Sequence, residues 1–208
     1  KFEDINANGV QDDGEEGLEG WTIYIDVNAN GALDGPETTL EPDDYAEGSE
    51  LSNVIPEATL SAVGPKFATN RNAVYAAYKP SVAITGDHIF VHAYDSVWHP
   101  EEQLRVDFTA AVNSVSIDVA SSETGAGRLE IYDAEDNLLD TYVTQVLGAG
   151  ESETMFLDRS EGDIAYAIAG SNGDGAYAVL DNLVFSSWTE PYAITGPSGE
   201  YSITDLPP

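Results

Sequence analysis

With 208 residues, 42% of them hydrophobic and Val, Ile, Tyr and Phe spread throughout, the chain can bury a real core and exceeds the usual single-domain size of ~100 to 150 residues. Its 38 acidic residues against 7 basic ones leave a formal charge of −31, which repels nucleic acid and anionic lipid and favours bound cations that relieve the compact state. Cysteine is absent, which excludes disulfide scaffolds and thiolate metal sites, and no apolar run approaches the ~18 residues needed to insert into a membrane. The chain opens on Lys1-Phe2-Glu3 without a signal segment and closes on Leu206-Pro207-Pro208, so it reads as part of a longer protein, with an extracellular or cell-surface location.

The first thirty-seven residues hold the pattern D-x-[DN]-x-[DN]-G-x5-E twice, as Asp4, Asn6, Asn8, Gly9, Asp12, Glu15 and again as Asp26, Asn28, Asn30, Gly31, Asp34, Glu37. Calcium takes six to eight hard oxygens, and alternate side chains of a tightly turning loop supply them, with the carbonyls of Val10 and Ala32 as backbone ligands and Glu15 and Glu37 closing each sphere. Calcium is therefore the expected cofactor. The competing reading is a pair of Asx-rich turns, but a turn needs neither the acid at the ninth loop position nor the glutamate at the twelfth. Gly17, Gly20 and Gly35-Pro36 oppose helices beside these loops, whereas Trp21 to Val27 alternates as a strand with Trp21, Ile23 and Ile25 on one face.

The segment from Lys1 to Glu37 resembles the opening of an SdrD B-like (Cna-B-type) repeat, and Tyr192 to Pro207 resembles that family's closing hairpin. The resemblance implies an immunoglobulin-like, calcium-stiffened stalk sandwich. In the family a few residues separate the two parts; here about 150 intervene, so a second domain is expected in a surface loop of the first. The expected organisation is 1–40 plus 191–208 as an incomplete stalk domain, and 41–190 as the insert.

Within the insert, strands are predicted over 88–94, 104–109, 114–120, 128–132, 138–146, 164–169 and 176–185, separated by turn residues such as Glu135-Asp136-Asn137 and Asn172-Gly173-Asp174-Gly175. No amphipathic helix of useful length is found. The overall fold class is all-β, an immunoglobulin-like sandwich interrupted by an inserted β-sandwich of jelly-roll type.

Through Asp44-Tyr45 with Gly48 to Asn53, Leu104 to Phe108 and Leu180 to Phe185, the insert also resembles the jelly-roll modules of secreted proteins and glycoside-degrading enzymes. That resemblance implies a structural calcium between first and last strands, at Asp181 with an acid from Asp43, Asp44, Glu47 or Glu50; the alternative is that Asp181 is a surface or turn carboxylate. For ligand binding, Tyr94, Asp95, Trp98 and His99 combine aromatic rings with a carboxylate in one loop, suited to a polysaccharide or other glycan; the alternative is that Trp98 caps the core. His88 and His92 share a strand face but stand about 13 Å apart there, too far for one zinc ion. No hydrolase or phosphate-binding motif is present, and no spacing selects a carboxylate pair from so many acids. The function expected is a non-catalytic calcium-binding module that binds carbohydrate, or alternatively a structural surface spacer.

Overall fold

The computed structural model describes residues 1–25, 37–65, 72–93, 97–121, 123–159, 161–173, 177–186 and 192–204. The chain divides into two compact units, Lys1–Gly35 with Thr189–Pro208, and Pro36–Trp188.

In the first unit, β1 (Thr22–Tyr24) pairs antiparallel with β13 (Tyr192–Ile194), joining chain segments far apart in sequence. Phe2 forms an isolated antiparallel bridge with Gly17, which closes the base of the first Asp/Asn loop without helices. Gly17 is required there, because a Cβ would run into the backbone of Ser198. Among the described residues this unit forms one strand pair, and the seven-stranded stalk sandwich is not formed by them.

The second unit is a β-sandwich. Its strands are β2 (Thr38–Leu40), β3 (Ala58–Val63), β4 (Val74–Tyr78), β5 (His88–His92), β6 (Gln103–Val112), β7 (Ser114–Ser121), β8 (Gly127–Tyr132), β9 (Leu138–Val143), β10 (Ser152–Asp158), β11 (Ile164–Ser171) and β12 (Ala178–Ser186). A six-stranded sheet runs β10-β7-β12-β5-β4, with β2 also on β12, and a five-stranded sheet runs β3-β6-β11-β8-β9. Period-two alternation explains the layers: Leu104 and Val106 on β6, Leu129 and Ile131 on β8, and Val115, Ile117 and Val119 on β7 all point into one shared core with Phe90 and Trp98. Because β2 pairs with β12 in the register Leu183↔Leu40 to Phe185↔Thr38, residues 38–40 belong to the sandwich; the boundary expected after Leu40 lies a few residues earlier.

A smaller cluster forms outside the six-stranded sheet. Ile89, Ala120 and Val179 are covered there by Val82, Ala83, Ile84 and Val97, so the 79–87 connection packs on that outer face. This explains why β7 and β12 are apolar on both sides near those positions.

Candidate functional site

In the first Asp/Asn loop, residues 4–15, Ala7 and Gly9 adopt positive φ of 57° and 77°, the sharp turn that the glycine anticipates. Asp4 accepts the N–H groups of Asn8 and Gly9 at 3.1 and 2.8 Å, and the amides of Asn6 and Asn8 both donate to Asp12 Oδ2 at 2.7 Å. Glu15, buried, accepts Ile5 N–H at 2.9 Å and Asp12 N–H at 3.0 Å. These bonds close the loop upon itself, with Val10 donating its N–H to Asn8 Oδ1 at 2.6 Å, and among the described residues Asp4, Asp12 and Glu15 do not stand together at metal-ligand spacing. Carboxylates and Asn side chains are the residue types a hard cation takes, while here both Asn amides turn their nitrogen to Asp12. Asp26, Asn28, Asn30, Ala32 and Asp34 of the second loop lie outside the described residues, and Glu37 is exposed ahead of β2.

Of the acids expected in the sandwich, Asp181 and Asp43 lie at one site, and Glu41, which was not expected, joins them. Asp44 and Glu50 are exposed, while Asp181 is completely buried, so it is no surface carboxylate. Its Oδ2 accepts the N–H groups of Ile84 and Thr85 at 2.9 and 3.0 Å, and its Oδ1 accepts that of Asn182 at 3.0 Å. Thr85 also donates its hydroxyl to Glu41 Oε2 at 2.9 Å, which joins the two carboxylates through one residue. Next to them, Asp43 accepts the N–H of Asp87 at 2.8 Å and faces His88 Nδ1 at 3.1 Å.

Burial pushes the Glu41 carboxyl up to about 7, with repulsion from Asp181 adding to the rise; burial likewise raises Asp181 against its hydrogen bonds. Glu41 Oε1 is buried without a hydrogen-bond partner. An orphaned oxygen beside a second carboxylate fits a hard divalent cation. Among the described residues no group of three or more His, Asp or Glu side chains stands at metal-ligand spacing, so this is a two-carboxylate site.

The expected glycan loop is not a platform. Trp98 has none of its surface exposed, donates Nε1–H to the Phe90 carbonyl at 2.9 Å, and exchanges backbone bonds with Ala178. It caps the core. His99 is half-buried, edge-on to Tyr177 with ring centroids 4.7 Å apart, and Tyr94 and Asp95 lie outside the described residues. The loop does bring His92 and His99 to one oxygen of buried Glu102, Oε2, at 3.7 and 3.8 Å, a meeting that strand spacing alone does not reveal. His88 is elsewhere, against Asp43.

The outward face of the five-stranded sheet is chemically richer. One row crosses all five strands in register, Thr59, Asp107, Tyr166, Tyr132 and Leu138, and a second runs Ser61, Arg105, Ile168, Glu130 and Thr141. Arg105 lies over the Tyr166 ring at 3.6 Å, and Tyr166 stacks on Tyr132 with centroids 4.7 Å apart and planes 7° apart. Both arginines on this face are paired, Arg105 with Asp107 at 2.6 Å and Arg128 with Glu130 at 3.5 Å. Burial, reinforced by the bond from its hydroxyl to Glu130 at 3.0 Å, pushes the Tyr132 phenol up to about 12, so it stays a donor. Tyr166 is only 7% exposed, but Leu138 at the sheet edge is 53% exposed. Alternation in β6, β8 and β11 carried the signal for this face; its cross-strand register did not.

No protein-family model matches the sequence, and no curated protein matches it. Among solved structures, the K2 cleaved adhesin domain of Lys-gingipain is similar over 73% of this chain and 99% of that domain, at 11% identity and a TM-score of 0.47. A mutant of the family 29 carbohydrate-binding module CBM29-2 is similar over 74% of this chain and 93% of that one, at 13% identity and a TM-score of 0.39. TmCBM61, solved with β-1,4-galactotriose, is similar over 67% and 94%, at 15% identity and a TM-score of 0.42. No residue role is carried over from these likenesses.

Proposed function

We propose that the chain is a non-catalytic, calcium-binding module of a secreted or cell-surface bacterial protein, in which the sandwich binds carbohydrate and the flanking unit, similar in sequence to SdrD B-like repeats, holds calcium in its Asp/Asn loops. The observation that supports this reading most directly is the buried pair Glu41 and Asp181, raised by desolvation and left with the unpartnered oxygen Glu41 Oε1. Calcium bound there supplies the positive charge that the pair lacks. Glu41 and Asp181 would hold it, while the 84–88 segment fixes both through Thr85. Asp4, Asn6, Asn8, the Val10 carbonyl, Asp12 and Glu15 would hold a second ion.

A non-catalytic role agrees with how Asp181 is used, since three backbone N–H groups and full burial leave its carboxylate no approach to a substrate. A structural spacer is the second reading, favoured by the self-satisfied stack of Arg105, Tyr166 and Tyr132.

The test is thermal unfolding and calorimetric titration of chelator-stripped protein with Ca²⁺ and with Mg²⁺. Calcium at a hundred times its dissociation constant is expected to add ~2.7 kcal/mol per site, and Glu41→Gln is expected to remove the sandwich's share. Identical unfolding with and without calcium would overturn the proposal.

A further inference from the structure

We infer that the outward face of the five-stranded sheet binds an uncharged, hydroxyl-rich polysaccharide lying across the strands at Arg105, Tyr132 and Leu138. The inference rests on the carbohydrate-binding reading and gives it a place and a ligand class.

Charge selects the class. A chain with a net of −31 repels anionic polymers unless a local cation surplus attracts them. On this face there is no such surplus, because Arg105 and Arg128 are each neutralised by a carboxylate two residues along the same strand, Asp107 and Glu130. Asp136, which accepts the Tyr166 hydroxyl at 3.1 Å, adds a further negative charge, so the face favours neutral ligands over anionic ones, and its donors and acceptors suit sugar hydroxyls, each of which both donates and accepts.

Geometry selects the site. The row from Thr59 to Leu138 crosses five strands, about 19 Å from first to last at the usual inter-strand spacing. Tyr166, clamped between Arg105 and Tyr132, acts as a rigid spacer that fixes the guanidinium on one side and the phenol ring on the other. The exposed Leu138 beside Tyr132 extends the apolar strip to the sheet edge, where a sugar C–H face can rest. On the other sheet the 79–87 connection covers part of the outer face.

Affinity electrophoresis with calcium present, through gels holding β-glucan, galactan, mannan, xylan, alginate or chitosan, tests the inference. The expected result is retardation by at least one neutral polymer, weakened about tenfold or more in Tyr132→Ala and in Leu138→Asp. Phe156→Ala, an exposed position on the six-stranded sheet, is expected to run as the parent does. Leu138→Asp keeps the test valid if Tyr132→Ala unfolds, because Leu138 is exposed already. Retardation unchanged in both face variants would overturn the site while leaving carbohydrate binding intact. Retardation by alginate or chitosan alone would overturn the ligand class. Absence of any retardation of the parent protein would overturn the inference together with the reading beneath it.

Discussion

Trp98 donates its indole N–H to the carbonyl of Phe90 at 2.9 Å from a position fully shielded from water. The ring fills the core between the sheets and its polar edge is satisfied, so its removal is a packing event. Trp98→Ala is expected to cost about 3 to 5 kcal/mol in urea unfolding, with the folded fraction keeping whatever glycan retardation the parent shows. Trp98→Phe retains most of the packing but leaves the Phe90 carbonyl without its donor, at about 1 to 3 kcal/mol. Loss of retardation at unchanged stability would contradict this assignment.

The Glu41 carboxyl titrates in the folded protein at about 7, above its ordinary 4.5. Between those values the folded state holds a proton that the unfolded chain has released, so stability falls as pH rises through that window. In chelator, Tm is expected to climb as pH is lowered from 8 towards 5, and calcium is expected to flatten that slope. General charge repulsion also eases on acidification, so the diagnostic is Glu41→Gln, which raises Tm at pH 8 without calcium and flattens the slope. Scanning calorimetry across the pH series reads both effects.

Gly86 sits at φ +48°, where a Cβ would collide with the Asp43 carboxylate. Gly86→Ala is expected to cost about 1 to 3 kcal/mol and to detach the 84–88 segment from its carboxylates. Denaturant unfolding gives the first number, and a smaller calcium-induced Tm shift reports the second.

Glu15 closes the first Asp/Asn loop by holding Ile5 and Asp12 at its two oxygens. Glu15→Gln is expected to lower the calorimetric calcium stoichiometry by one while the sandwich's Tm stays put. An unchanged stoichiometry would mean that the loop is an Asx turn and no ion site.

Strong alternation made β6, β7, β8 and β11 legible in the sequence, because bulky residues mark their buried side. Four strands escaped, the first of them β2, whose three residues Thr38–Leu40 are too few to show a period. The inward residues of β3 are Ala58, Leu60 and Ala62, and β4 buries Ala76 beside Ala77, so small side chains hide the pattern. In β10 the run Met155-Phe156-Leu157 looks continuous although Phe156 faces water. At the carboxylate site, Asp181 was visible as a candidate but Glu41 was not, because only the pairing of β2 with β12 and the path of 84–88 bring them together. The same limit applies to the row from Thr59 to Leu138, which exists only once five strands are in register.

Antiparallel pairing of Thr38 with Phe185 puts the entry and exit strands of the sandwich side by side. Under tension this has a mechanical consequence. Load arriving through the chain on either side crosses the short β2–β12 ladder directly, so the body of the sandwich lies off the line of force and adds almost no length while that ladder holds. A pull at these neighbouring ends opens the ladder one bond at a time. Once it parts, only the segment ahead of β3 is drawn out, because β12 stays paired with β7 from Ala178↔Ser121 to Ser186↔Ser114 and the sandwich remains closed.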